Sequence, residues 1–161
     1  ALLLQYAEYN HWANKRITDL AINLTDAQLK KETPSSFKTI TETLLHLWDA
    51  EAGWYNRLTV KVNQPRPSKT FSGSILELTS GLLAQSAQWI DLIDQITADQ
   101  LQADLSYTSS ANEIISRPVY QVIHHLFNHQ SFHRGQIITL MHNAGVTGFP
   151  ATDFIAFAGK H

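Results

Sequence analysis

The stretch that decides the fold is His124-His125-Leu126-Phe127-Asn128-His129-Gln130-Ser131-Phe132-His133-Arg134-Gly135-Gln136. It lies inside a longer segment that opens at Pro118 and closes at Gly145. Proline suits the first helical position, and glycine suits the residue just past a helix end, so this segment is predicted as one helix from about Val119 to Asn143. Residues four apart on a helix differ by only ~40° in direction and sit one turn above each other. His129 and His133 can therefore present two imidazoles to one ion. His125 and His129 form an overlapping pair, which leaves His125 as a rival ligand, with packing, a structural hydrogen bond or a place beside the ligands or in a substrate pocket as its other readings. The residue after His129 is Gln130 and not Glu, so the His-Glu-x-x-His zinc-peptidase motif and its general base are absent. Such a pair also arises readily by chance: eight histidines scattered over this length give about 0.4 pairs at this spacing.

The helical period extends outward through the rest of the chain. Tyr6, Tyr9, Ala13, Ile17, Leu20 and Leu24 recur at three- and four-residue steps and predict a first helix over about Leu3 to Leu24. Thr39-x-x-Glu42 and Ser74-x-x-Glu77 read as capping boxes for a second helix, about Thr39 to Leu58, and a third, about Ile75 to Ile96. The inner face of the third is expected to carry Leu78, Leu82, Ala84, Trp89, Leu92 and Ile96. Short capped turns are expected at Thr25-Asp26 and at Thr97 to Gln100. Pro34-Ser35-Ser36 and Pro65-Arg66-Pro67 break the pattern. Between Ala103 and Arg117 the period weakens around Ser109-Ser110-Ala111-Asn112, which fits a short hairpin or an irregular crossover. The apolar tail Phe154 to Phe157 is expected to pack on the helices. Four helices of ~20 residues, each about 30 Å long, make an all-α four-helix bundle. No linker or repeat splits residues 1–161, so a single domain is expected.

Composition narrows the chemistry. The chain has 161 residues, eight histidines and no cysteine, so disulfides and thiolate ligands are excluded and a metal site must use His, Asp, Glu or backbone oxygen. Net charge is -2 with no Lys/Arg cluster, which argues against binding nucleic acid through its phosphates. No apolar run reaches the ~18 residues of a membrane span, and Ala1 to Tyr6 lacks the basic start of a secretory signal. A cytoplasmic location is the expectation. Charged residues are 16% of the chain, below the usual ~25%, which leaves room for a self-association face. His161 could belong to a tag.

A third ligand must come from another helix. His46 is the one histidine inside the second helix, and Ala50 and Gly53 on its face leave space beside the imidazole. Asp49 is a candidate to hydrogen-bond a ligating imidazole or to be a fourth ligand itself, with a solvated surface carboxylate as the plainer reading. Arg134 could hold a substrate carboxylate, with a salt bridge or cap contact that orients the helix as the plainer reading. Gly135 would allow close approach of a neighbouring helix. Trp54 could line a substrate pocket or simply belong to the core, as aromatics do by default. Glu51 and Asp49 are the nearest candidates for a second catalytic group.

The segment from Asn128 to Gln136 resembles the fourth-helix signature of the DinB/YfiT-like metalloenzymes. Leu44-Leu45-His46-Leu47, followed by Glu51 and Trp54, resembles that family's second-helix histidine motif. Tyr6-Ala7-x-Tyr9-Asn10-x-Trp12-Ala13-Asn14 resembles its first helix, and Gly145 to Asp153 is similar in style to its ending. The resemblance implies an up-down-down-up bundle and one divalent ion held by His46, His129 and His133, three ligands that leave a position open. Imidazole ligands favour zinc or nickel, with iron or manganese as alternatives. The resemblance also implies a homodimer and a metal-dependent reaction on a small molecule, of which transfer to a low-molecular-weight thiol such as bacillithiol or mycothiol is one form. The alternatives are a metal-dependent hydrolase and a non-catalytic metal-binding or stress-response protein.

Overall fold

The computed structural model describes residues 2–59, 64–109 and 111–159. Ser110 and His161, both read in the sequence, lie outside the described residues. In chain order the elements are α1 (Leu2–Ala21), α2 (Asp26–Leu29), α3 (Ile40–Thr59), α4 (Pro67–Thr70), α5 (Ile75–Gln95), α6 (Ala98–Gln102), β1 (Asp104–Thr108), β2 (Ile114–Pro118), α7 (Val119–Asn143) and α8 (Phe154–Ala158).

Local chemistry accounts for most of the boundaries. Thr25, Ser74 and Thr97 each accept from the backbone of the residue three positions on and receive the reciprocal side-chain bond, so α2, α5 and α6 begin with complete capping boxes. At the start of α3 only half of the expected box forms. Thr39 accepts from the Glu42 amide, but the Glu42 carboxylate turns to the amide of Lys38. Pro118 ends strand β2 and stands just before α7, one residue earlier than its expected place in the first turn. The other end of α7 closes with Gly145 at φ +79°. The Gly145 amide donates to His142 and the Val146 amide to Met141, which satisfies carbonyls the helix leaves orphaned.

The direction of each long helix follows from which ends share a core. One apolar cluster gathers Ile17 and Ala21 from the end of α1, Ile40 and Leu44 from the start of α3, Leu78 and Leu82 from the start of α5, and Leu140 and Met141 from the end of α7. A second gathers Ala7, Trp89, Ile93, Val119, Ile123 and Leu126, with Trp54, Tyr55 and Leu58 packed against them. The long helices therefore run up, down, down, up. α1 packs on α5 and α7, and α3 packs on the same two, which sets α1 diagonally opposite α3.

Because α3 and α5 are parallel neighbours, the chain between them must return along the length of the bundle. Asp49 anchors that return by accepting from the Ser68 amide at 2.8 Å and its hydroxyl at 2.5 Å. Phe71 then packs edge-on against Trp48. Trp48 also lies against Gly81, where a Cβ would come within 2.3 Å of the ring. Gly81 is thus the glycine that permits close helix approach. Gly135, expected in that role, faces open space. The antiparallel β1–β2 pair, with Asp104 opposite Pro118, bridges the diagonal from α5 to α7. Ala84 proves exposed, and Ile93 takes the inner position expected of Leu92. The tail packs as expected: Phe157 buries itself against Tyr9 and Ala13, and the Tyr9 hydroxyl donates to the Thr152 carbonyl. Among the described residues no helix is long and apolar enough to cross a membrane.

Candidate metal centre

Antiparallel packing of α3 on α7 brings His46 to the level of His129 and His133. The Nε2 atoms of His46 and His129 lie 3.1 Å apart, and those of His133 and His129 also 3.1 Å apart. Among the described residues these three form the group of potential ligands whose donor atoms all lie within 4.8 Å of one another. The spacing fits a shared ion. At the ~2.0–2.1 Å of a Zn–N bond, two nitrogens subtending about 90–110° sit roughly 2.9–3.4 Å apart.

The surroundings favour the ligating form of the rings. The Gln136 amide nitrogen donates to the Ser36 hydroxyl at 3.0 Å, which leaves its Oε1 facing His133 Nδ1 at 2.7 Å. An amide oxygen can only accept, so Nδ1 carries the proton and the Nε2 lone pair of His133 points to the centre. Phe37 stacks on His46 with ring centroids 4.1 Å apart and meets His133 edge-on. Burial, together with the mutual repulsion of the imidazolium charges, holds both His46 and His129 down to about 4. His133 is lowered as well, mainly by burial, against the opposing bond from Gln136. Three neutral imidazoles thus converge at neutral pH. Metal uptake is then expected to release less than about one proton per site at pH 7. Calorimetric titrations in buffers of different ionisation enthalpy measure that number, and release of two or three protons would show that the rings are charged before binding.

The same shifts act on folding. Below 6.5 the unfolded chain takes up protons that the folded His46 and His129 refuse, so the metal-free protein loses stability as pH falls from 6.5 towards about 4. Glu51 has the opposite sign. Its buried carboxyl is pushed up from 4.5 to about 7, so it favours the folded state at low pH and loses that contribution as pH rises from 4.5 to 7.

The remaining candidates go to other tasks. Asp49 is bound to Ser68 and supports the return chain, so it is neither a fourth ligand nor a solvated carboxylate. Arg134 is only 3% exposed, which removes it from any substrate pocket. Its guanidinium donates to Asn10 at 2.6 Å, Asn14 at 3.0 Å and Ser131 at 2.8 Å. The same two asparagines donate onward to Glu51, which also accepts from Ser86. This buried chain ties the four long helices together, with two amides standing between Arg134 and Glu51 where a direct salt bridge or a cap contact is expected. Glu51 is fully buried within it. His125 is exposed and its ring centroid lies 5.9 Å from that of His129, outside the group of converging donors. It stands instead between His129 and Trp54, at 5.9 Å from each ring. Trp54 meets Tyr107 edge-on at 4.9 Å and carries the Arg57 guanidinium over its face at 4.6 Å. Phe37, Ser36 and Tyr107 are absent from the sequence-level candidates. They sit in a loop and a strand, where no helical period marks them.

A family model described as the DinB family matches residues 1–159. The chain belongs to the DinB family. Among known DinB-type proteins, it is 27% identical over 154 residues to Protein DinB of Bacillus subtilis (strain 168), covering 91% of this chain and 88% of that one. A DinB-like protein from Bacillus cereus ATCC 10987 superposes with a TM-score of 0.74 at 22% identity, over 92% of this chain and 94% of that one. YfiT from Bacillus subtilis superposes with a TM-score of 0.69 at 16% identity, over 88% and 87%. YfiT is described as a probable metal-dependent hydrolase with an unusual four-helix bundle topology. At these identities the two structures speak for the shared DinB fold.

Proposed function

We propose that this DinB-family chain holds one divalent metal ion through His46, His129 and His133 and uses it in a metal-dependent reaction on a small molecule. The observation that carries the reading is the approach of three Nε2 atoms, two of the separations being 3.1 Å. Zinc or nickel suits an all-imidazole set best. A three-ligand site leaves a coordination position for a reactant, the arrangement typical of catalytic rather than structural sites. An ion held there would act as a Lewis acid and lower the pKa of a bound water or thiol.

The residues around the triad support a nucleophile activated by the ion alone. Asp49 is engaged with Ser68 and Glu51 is enclosed in the core network, so neither carboxylate stands ready as a general base. Water as nucleophile makes the chain a hydrolase, in line with the description of YfiT. A low-molecular-weight thiol makes it an S-transferase, and a homodimer is the proposed assembly. The test loads metal-free protein with zinc or nickel and assays two panels, activated esters and amides alone, and thiols with electrophiles. The expected result is turnover in one panel that appears with metal and disappears in His129→Ala. Stoichiometric metal binding with no metal-dependent turnover in either panel would leave the ion a structural role.

A further inference from the structure

We propose that the cleft between the end of α3 and strand β1 is a subsite for an oxyanion group on a small molecule, read by Arg57 and Arg66. The inference rests on the reading above in one respect, that the molecule bound here is the one that reacts at the histidine centre.

The cleft has a volume of about 600 Å³, and its walls include Gly53, Asn56, Arg57, Arg66, Asp104 and Tyr107. That is the size range of small-molecule sites, roughly 300–1,000 Å³. Two arginines, Arg57 and Arg66, line it, and among the described residues neither is hydrogen-bonded through its side chain or paired with a carboxylate. Their charge is local, because the chain as a whole carries -2. Arg57 is also well held. It lies over Trp54 at 4.6 Å and over Tyr107 at 5.8 Å, which fixes the guanidinium plane and leaves its N–H edges unused. A planar fork held this way matches the geometry of a carboxylate or phosphate. Burial and the neighbouring Arg66 both disfavour the charge on Arg57, a cost that a bound anion would relieve. Asp104 is the carboxylate in the lining, so the pair of arginines leaves the walls with a net positive charge.

The cleft and the histidine centre share helix α3. Gly53 stands seven residues after His46 on α3, two turns or about 10.5 Å along the same face. A run of ring contacts leads from Tyr107 in the cleft wall through Trp54 and His125 to His129, at centroid separations of 4.9, 5.9 and 5.9 Å. A molecule with an anionic end in the cleft and a reactive group some 10 Å away would span both sites.

The test is calorimetric titration of the whole chain with succinate and with inorganic phosphate as two oxyanion sources, and with succinamide as the neutral isostere of the first. The expected result is that at least one oxyanion binds ten-fold or more tightly than succinamide. That binding should weaken with added salt and fall ten-fold or more in Arg66→Gln, while Arg66→Lys retains part of it. Preference for succinate assigns a carboxylate and preference for phosphate assigns a phosphate. Binding that persists in His129→Ala supports the subsite independently of whether any metal-dependent turnover exists. Equal binding of succinamide and succinate with no phosphate binding, or an Arg66→Gln variant that binds like the parent, would overturn the inference. Arg66 is exposed, so its substitution leaves the packed core untouched.

Discussion

His129→Ala is expected to abolish tight metal binding while leaving the bundle folded. His129 is the middle member of the triad, with its Nε2 3.1 Å from those of both His46 and His133. Without it the two remaining nitrogens sit on different helices with no ligand between them. Loss of a residue that merely orients a ligand costs about 10–100-fold in metal affinity, so loss of the central ligand is expected to exceed about 100-fold. Gln136→Ala provides the internal comparison. It frees the Nδ1 proton of His133 without removing a donor and should fall within that 10–100-fold range. Competition with a chromophoric chelator measures both, and circular dichroism checks the fold. Zinc affinity of His129→Ala within a few-fold of the parent would remove the histidine triad from consideration as the metal site.

Arg134→Ala should carry the largest cost in stability. Its guanidinium is buried and makes three side-chain bonds, and through Asn10 and Asn14 it faces the enclosed Glu51. Removing one member of such a network leaves unsatisfied amides and an uncompensated carboxyl, a loss of about 3–5 kcal/mol. For a chain of this size that lowers the melting temperature by roughly 10 °C. The sign with pH is also set. The Arg134 charge now pulls the Glu51 pKa down towards about 7, so without it the carboxyl titrates higher and the variant loses more stability at pH 8 than at pH 6. Adding Glu51→Gln removes the stranded charge, so the double variant should recover part of the loss. Thermal unfolding at the two pH values reads all of this. A loss below about 1 kcal/mol would mean that water or rearranged amides replace the guanidinium without difficulty.

Both expectations concern residues that sequence periodicity could locate but not assign. His129 and His133 share a face because they lie four apart on one helix, and that follows from the residues between Pro118 and Gly145 alone. The complete capping boxes at Thr25, Ser74 and Thr97 are equally local, since each closes within four residues. His46 was legible as a candidate through its place on the second helix and the family resemblance. Its distance to His129 depends on the register of α3 against α7. Asn10 and Asn14 fall on the buried side of α1 beside Tyr9 and Ala13, yet a stripe drawn through apolar residues passes them by. Their burial makes sense only once Glu51 and Arg134 stand opposite.

The same division explains the misplaced roles. Gly135 and Gly81 look alike in a helical sequence, and only the position of the Trp48 ring distinguishes the tight contact from open space. Asp49 is three residues from His46 and could as well have pointed to an ion; the return of Ser68 along α3 is what claims it. The cleft at Arg57 and Arg66 joins a helix, a loop and a strand that share no period. A helix sets the direction of each side chain about its own axis, because 3.6 residues per turn is a local property of the backbone. What stands opposite that side chain depends on helix order and register, which come from burying the two apolar clusters of the whole chain at once.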